Sequence, residues 1–289
     1  MYEKRDKMTD ILTFTVYGVE GEMKIRDYMT ARLGFSASLI GIVKYDNVLL
    51  NGNPVHMRAM VQNGDVITVN LPQEESENIE PIAIPLEIVY EDRYILAVNK
   101  PTNMPTHPAR GNHLPTLANA VRAHLNKPFV FRALTRLDRD TSGIVLIAKN
   151  RLAAALLSKE LQKGNFRKIY EAVVVGTPEP KAGRIDAPIA REAENSIKRV
   201  VRDDGKPATT VYNVISVDDD GNATVELEAV TGRTHQLRVH MAHIGHPLYS
   251  DFLYGTQIGD EVYRLHCKML EFPHPASGER ITLLCPVKK

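Results

Sequence analysis

Cysteine is scarce in this 289-residue sequence: only Cys267 and Cys285 occur, and they do not form a C-x-x-C pair. Neither a disulfide framework nor a thiolate zinc site is indicated, and two buried structural thiols are the expectation. Long apolar runs are missing as well. No stretch approaches the ~20 residues of a membrane span, and Met1 to Asp10 is charged and polar, with no apolar signal-type segment behind it. A soluble cytoplasmic protein without membrane contact is expected, with a monomer as the default. No repeat of roughly 20 to 50 residues is visible, so a solenoid or an array is not indicated.

Net charge is also low, at +1, but it conceals an asymmetry. Residues 1–71 carry 8 basic and 8 acidic side chains, residues 72–89 carry 5 acidic and no basic ones, and the remainder is net positive. Within that remainder, Arg122 to Lys168 holds 11 basic residues against 3 acidic ones. Such a segment suits a polyanion, although solvated helix faces produce the same count.

The acidic, proline-bounded stretch Pro72 to Pro85 reads as a linker. Ahead of it, residues 1–71 show a strand at Ile11 to Val16 and helical patterns at Lys24 to Leu33 and Ser36 to Tyr45. A hairpin at Val48 to Val55 turning on Asn51-Gly52 follows, then a strand at Val66 to Leu71. Val48-Leu49-Leu50-Asn51-Gly52 and Gly64-Asp65-Val66-Ile67, in this order, resemble the S4-like RNA-binding domain. The second helix departs from that domain's pattern, with Lys44 its only basic residue.

Residues 86–289 read as strands and a hairpin with few helices. Strands are read at Tyr94 to Asn99, Gly143 to Ala148, Lys168 to Val175, Thr210 to Val217 and Ala223 to Val230, and helices at Thr116 to Leu125 and Arg151 to Lys163. An irregular stretch from Lys100 to Pro115 contains His107, Arg110 and His113, and Gln236 to His240 begins another regular element. The expected class is α+β, around a central mixed, largely antiparallel sheet flanked by helices and loops, beside the small N-terminal α/β unit.

In Arg136-Leu137-Asp138-Arg139-Asp140-Thr141-Ser142-Gly143, charges crowd the mouth of an apolar strand. An extended backbone would put Arg136, Asp138 and Asp140 on one side. Taken alone, the segment is better read as a salt-bridged turn. A second charged cluster, Thr231-Gly232-Arg233-Thr234-His235-Gln236-Leu237-Arg238-Val239-His240, follows a strand, and Gly232 permits a turn that presents Arg233. Between the clusters, Lys168-Ile169-Tyr170 sets a cation and an aromatic ring on one side of a strand.

Together and in order, these segments closely resemble the RluA family of pseudouridine synthases, whose motifs R-L-D-x-x-T-S-G, K-x-Y and G-R-T-H-Q-x-R-x-H they match. Asn99-Lys100-Pro101 matches the opening N-K-P, and Arg264-Leu265-His266 loosely matches the closing region. Thr135 and Asn103 depart from the histidine and glycine common there.

The resemblance implies a pseudouridine synthase fold and isomerisation of uridine within RNA, with no cofactor and no metal. It makes Asp138 the essential carboxylate, acting on the sugar as nucleophile or base. A carboxylate in a dry pocket needs a cation to remain ionised, and Arg233 is the expected partner. Tyr170 would stack on the uracil and take part in proton removal from C5. Arg136 would fill the gap left by the flipped nucleotide or contact phosphate, and Arg139, Lys168, His235 and Arg238 would contact RNA. Large-subunit ribosomal RNA is the favoured substrate, and tRNA, or both, the alternative. Two other readings carry less weight: a non-catalytic RNA binder, which has no need of a carboxylate facing a polyanion, and a metal hydrolase built on His235, His240, His243 and His246, whose spacing is broken by Gly245 and Pro247.

Overall fold

The structure, a computed structural model, describes residues 9–45, 47–72, 79–108, 115–126, 130–258 and 262–287. Arg110 and His113 of the irregular stretch lie outside the described residues.

In the N-terminal unit, strand β1 (Thr9–Thr15) precedes β2 (Met23–Lys24), α1 (Ile25–Ala31) and α2 (Ala37–Val43). Ser36 caps α2, accepting from Leu39 N at 3.2 Å. Strands β3 (Val48–Leu50), β4 (Asn53–Pro54), β5 (Met60–Val61) and β6 (Val66–Pro72) complete the unit, in a four-stranded sheet of order β1-β6-β3-β4 and a small β2-β5 ladder. The β3–β4 turn has Asn51 at φ 50° and Gly52 at φ 84°, the left-handed pair that a two-residue hairpin requires. Asn51 also joins the two matched segments: its Nδ2 donates to Asp65 Oδ1 and its Oδ1 accepts from Val66 N, both at 2.8 Å.

The expected linker is only partly a linker. Residues 73–78 are outside the described residues, but Ile79, Ile84 and Leu86 pack on the second core, and Asn119 Nδ2 donates to Glu80 O at 2.8 Å. The second half of the acidic stretch is therefore docked.

The larger unit begins with β7 (Glu87–Glu91), β8 (Ile95–Lys100), α3 (Leu117–Leu125), β9 (Arg132–Ala133), β10 (Ser142–Ala148) and α4 (Arg151–Gln162). Thr116 and Asn119 form a capping box on α3, and Asn150 caps α4. Next come β11 (Arg167–Val174), β12 (Ala182–Asp186), β13 (Ile189–Arg191), β14 (Arg199–Val201), β15 (Thr209–Val217) and β16 (Ala223–Ala229), then α5 (Gln236–His243), β17 (Leu265–Pro273) and β18 (Arg280–Leu284). Strands β7, β9, β12, β13, β14, β17 and β18 were not anticipated.

The main sheet runs β12-β15-β16-β11-β17-β10-β8-β7, with β18 on β17 and β9 on β10. Among the described residues only β10 and β17 pair in parallel, so the sheet is mixed and largely antiparallel, as the sequence indicated. Gly143 makes the parallel pairing possible. Its φ is 107°, and a Cβ there would collide with the Cys267 backbone. Strand β17 thereby comes to lie between β10 and β11, and the segment entering β10 is brought beside Tyr170 of β11.

Two large hydrophobic clusters fill the units, and a small third one gathers Ile189, Ala208 and Val239. Leu152 and Leu156 of α4 belong to the N-terminal cluster, with Gly34 lying against Leu156. The small unit is thus seated on the helix that follows β10.

Candidate active site

The Arg136 to Asp140 segment is extended only as far as Asp138. Thr141 N donates to Asp138 O at 3.2 Å, closing a turn, and the expected alternation ends there. Asp140 is buried, not aligned with Asp138, and takes both Arg139 Nε and Nη2, at 2.8 and 2.9 Å. The turn is braced from behind by the N-K-P region. Lys100 is fully buried, and its Nζ donates to the carbonyls of Pro101, Met104 and Arg139 at 2.8, 2.8 and 3.1 Å. Burial pushes its pKa down to about 8, opposed by Asp140 and Asp138. Thr106 Oγ1 donates to Leu137 O at 2.7 Å, and Met104 N to Arg139 O at 3.1 Å. The two departures from the family pattern have local explanations: Asn103 adopts φ 56°, which asparagine tolerates, and Thr135 Oγ1 accepts from Leu146 N at 3.0 Å.

Asp138 opens onto a cavity of about 790 Å³, within the range of roughly 300–1,000 Å³ usual for sites that enclose a small molecule. Arg136, Asp138, Lys168, Tyr170, Arg233, His235 and Arg238 all line it; of the expected site residues only Arg139, committed to Asp140, does not. Arg136 is exposed at the rim, near His107.

Lys168 and Tyr170 face the cavity two residues apart on β11, as the strand reading required. Tyr170 is paired across the sheet with Cys267. Burial, then the Cys267 thiol and the Asp138 charge, push its phenol well above the ordinary tyrosine range. The shift favours the neutral phenol over the phenolate. Burial also lowers the Lys168 ammonium.

The cation beside Asp138 is not the expected one. Arg233 Nε donates to Pro207 O at 3.0 Å, because the turn after β16 carries it outward to the β14–β15 connection. The guanidinium that approaches Asp138 is that of Arg238, on α5, with Nη1 3.9 Å from Oδ2. Arg238 is buried, bound to Asp251 through Nε and Nη2 at 2.8 and 2.7 Å, and packed against the rings of Tyr263, Tyr254 and Phe252 at 4.3, 4.9 and 5.6 Å. His235 also faces Asp138, with Nε2 3.7 Å from the same Oδ2. Burial lowers its pKa, Asp138 opposes that shift, and Arg238 and Arg199 reinforce it.

Gln236 organises the turn that presents these groups. Its Oε1 accepts from Thr231 Oγ1 and Arg233 N at 2.6 and 3.0 Å, and its Nε2 donates to Thr209 O at 2.8 Å. His240, one of the four spaced histidines, has both ring nitrogens engaged, by Thr210 Oγ1 and Ala187 O at 2.9 Å each. Among the described residues no three His, Cys, Asp or Glu side chains converge as a metal would need.

Sequence reasoning missed Asp251, Tyr254 and Tyr263. A signal was available: Arg238 inside the apolar phase of Leu237 and Val239 demands a buried carboxylate, and Asp251 follows Leu248 and Tyr249.

Comparison with known proteins supports the same chemistry. Residues 94–243 match the family described as RNA pseudouridylate synthase. An uncharacterized RNA pseudouridine synthase of Bacillus subtilis, YjbO, is 37% identical over 274 residues, covering 92% of this chain and 95% of that protein. Ribosomal large subunit pseudouridine synthase D of Pseudomonas aeruginosa is 37% identical over 271 residues, covering 86% and 83%. The solved structure of human RNA pseudouridylate synthase domain containing 1 is 28% identical with a TM-score of 0.61, covering 72% of this chain and 86% of that one. A carboxylate with a buried arginine behind it, an aromatic floor and this kinship lead to one conclusion: the chain belongs to the RluA-type family of RNA pseudouridine synthases.

Proposed function

We propose that this enzyme isomerises a uridine in large-subunit ribosomal RNA, with Asp138 as the reacting carboxylate. The observation that carries the assignment is Asp138 at the mouth of a nucleotide-sized cavity, with Arg238 and His235 on one of its oxygens and Tyr170 across from it. Both neighbours make their closest approach to Oδ2, so Oδ1 is the less encumbered oxygen for work on the sugar. The glycosidic N1–C1′ bond breaks, the uracil turns, C5 bonds to C1′, and the proton lost from C5 is matched by one gained at N1, so the isomerisation is redox-neutral and needs no cofactor. Tyr170 supplies the stacking face, and Arg136, at the rim, contacts the strand from which the base is extruded. Lys168 and Arg233 meet phosphate or base edges from the walls, and Arg238 acts behind Asp138.

The substrate assignment is supported by relatives named as large-subunit synthases. Residues 1–71 are read as an S4-like unit, 72–85 as a connector and 86–289 as the catalytic unit, working as a cytoplasmic monomer. The outer face of α2, with Ala37, Ser38, Gly41 and Ile42 exposed, offers no charge beyond Lys44 at its C-terminal end, so the small unit orients the RNA more than it adds affinity. The test is pseudouridine mapping after incubation of purified protein with unmodified large-subunit ribosomal RNA and with tRNA. Pseudouridine formed only in tRNA would overturn the substrate assignment. An Asp138→Asn variant as active as wild type would overturn the catalytic one.

A further inference from the structure

Tyr254 lies outside every segment that the reaction so far uses, yet it contacts both His235 and Arg238 of the site as well as the neighbouring β14. Its hydroxyl accepts from Arg199 N of β14 at 2.9 Å, stands 2.7 Å from His235 Nδ1, and belongs to a ring packed on the Arg238 guanidinium. His235 in turn occupies a left-handed backbone position, φ 56°, at the start of α5, and its side chain caps nothing. Residues other than glycine adopt that conformation uncommonly, histidine more readily than most. Here it turns the imidazole between Tyr254 and Asp138.

We propose that Tyr254 and His235 form a positioning relay for Asp138, in which the Tyr254 hydroxyl donates to His235 Nδ1 and fixes the tautomer whose Nε2–H faces Asp138 Oδ2. This rests on Asp138 being the reacting carboxylate. Two arguments select the tautomer. The phenol oxygen already accepts the Arg199 amide, and among the described residues Nδ1 is the only acceptor within hydrogen-bond reach of its own proton. At the other ring nitrogen, a bare lone pair 3.7 Å from a carboxylate repels it, whereas an N–H attracts it. The protonation states agree: burial pushes the Tyr254 phenol up to about 12 and lowers His235, so a neutral phenol meets a neutral imidazole. The charged groups facing His235 are Asp138, Arg238, Arg199 and Asp251.

The relay suits the chemistry. Arg238 is already offset by Asp251, and a neutral donor on Oδ2 orients Asp138 without cancelling its charge. The 3.7 Å separation exceeds a hydrogen bond, and catalytic contacts of this kind tighten when substrate enters.

The test uses the full-length protein labelled with ¹⁵N-histidine, with His235→Gln identifying the resonance. Wild type is expected to show the Nε2–H tautomer with an accepting Nδ1, and Tyr254→Phe a mixture. In single-turnover assays on a ribosomal RNA fragment, Tyr254→Phe should lower the chemical rate by about 10- to 100-fold with substrate affinity unchanged. In a His235→Gln background, where the amide can donate unaided, the same change should have no further effect. An Nδ1–H tautomer in wild type, or a full rate in Tyr254→Phe, would sink the relay. If Asp138→Asn is inactive while Tyr254→Phe is unimpaired, the relay alone fails. An active Asp138→Asn removes the reading beneath it.

Discussion

Arg238 reaches Asp138 with one nitrogen only: Nη1 stands 3.9 Å from Oδ2, while Nε and Nη2 are bound to Asp251. Two carboxylates share one guanidinium, so the group of three keeps a negative charge when all are ionised. A carboxylate paired one-to-one with arginine would be held more tightly and would be a weaker base or nucleophile. The shared arrangement suits the proposed role of Asp138, orienting the carboxylate without fully neutralising it.

Removing the charge of Asp138 should therefore affect chemistry and leave stability alone. The side chain is 31% exposed, and its carboxylate makes no hydrogen bond of ordinary length among the described residues. Asp138→Asn is expected to lower the rate by at least about 10²- to 10⁴-fold, with an unchanged urea midpoint.

The two arginines should separate cleanly. Arg238→Met leaves Asp251 buried without its partner and is expected to destabilise the fold by about 3–5 kcal/mol as well as abolish turnover. Arg233→Met removes one bond to Pro207 O on the surface, and is expected to raise KM with kcat and stability little changed. Denaturant titrations and steady-state kinetics on both variants check this, and the opposite ranking would restore Arg233 as the partner of Asp138.

Lys100 should act through the backbone. Lys100→Met strips the donor from three carbonyls, and each one left unsatisfied costs about 1–3 kcal/mol. The catalytic turn loses its brace, so a lower melting temperature and a lower kcat are expected together. A Lys100→Met enzyme of wild-type stability would contradict the bracing role.

Acid should destabilise the protein through its imidazoles. His107, His235 and His240 are all lowered from 6.5, chiefly by burial. Below that value the unfolded chain binds more protons than the folded one, so the stability these groups contribute is present above pH 6.5. It is lost as pH falls through their folded pKa values. Urea unfolding at pH 7.5 and pH 5.5 should show the loss, and His240→Gln, able to keep one of its two hydrogen bonds, should reduce the difference.

Much of the fold was legible because its signals are local. The Asn51-Gly52 turn, the helices at Thr116 to Leu125 and Arg151 to Lys163, and the apolar run of β10 are each decided by a few neighbouring residues. Strands β17 and β18 were not, because Cys267 and Leu270 read as strand only once β10 and β11 flank them. The short β13–β14 ladder carries no periodicity long enough to show.

The sequence by itself determined which residues meet at the cavity. Its ordered motifs carry Asp138, Lys168, Tyr170, Arg233, His235 and Arg238, and the family chemistry follows from them. Only the tertiary structure decided which cation stands beside Asp138. A guanidinium's partner depends on the direction of its element: the turn after β16 points Arg233 outward, while α5 buries Arg238 against Asp251. Spacing along the chain does not encode that direction, because it is set by where α5 packs on the sheet.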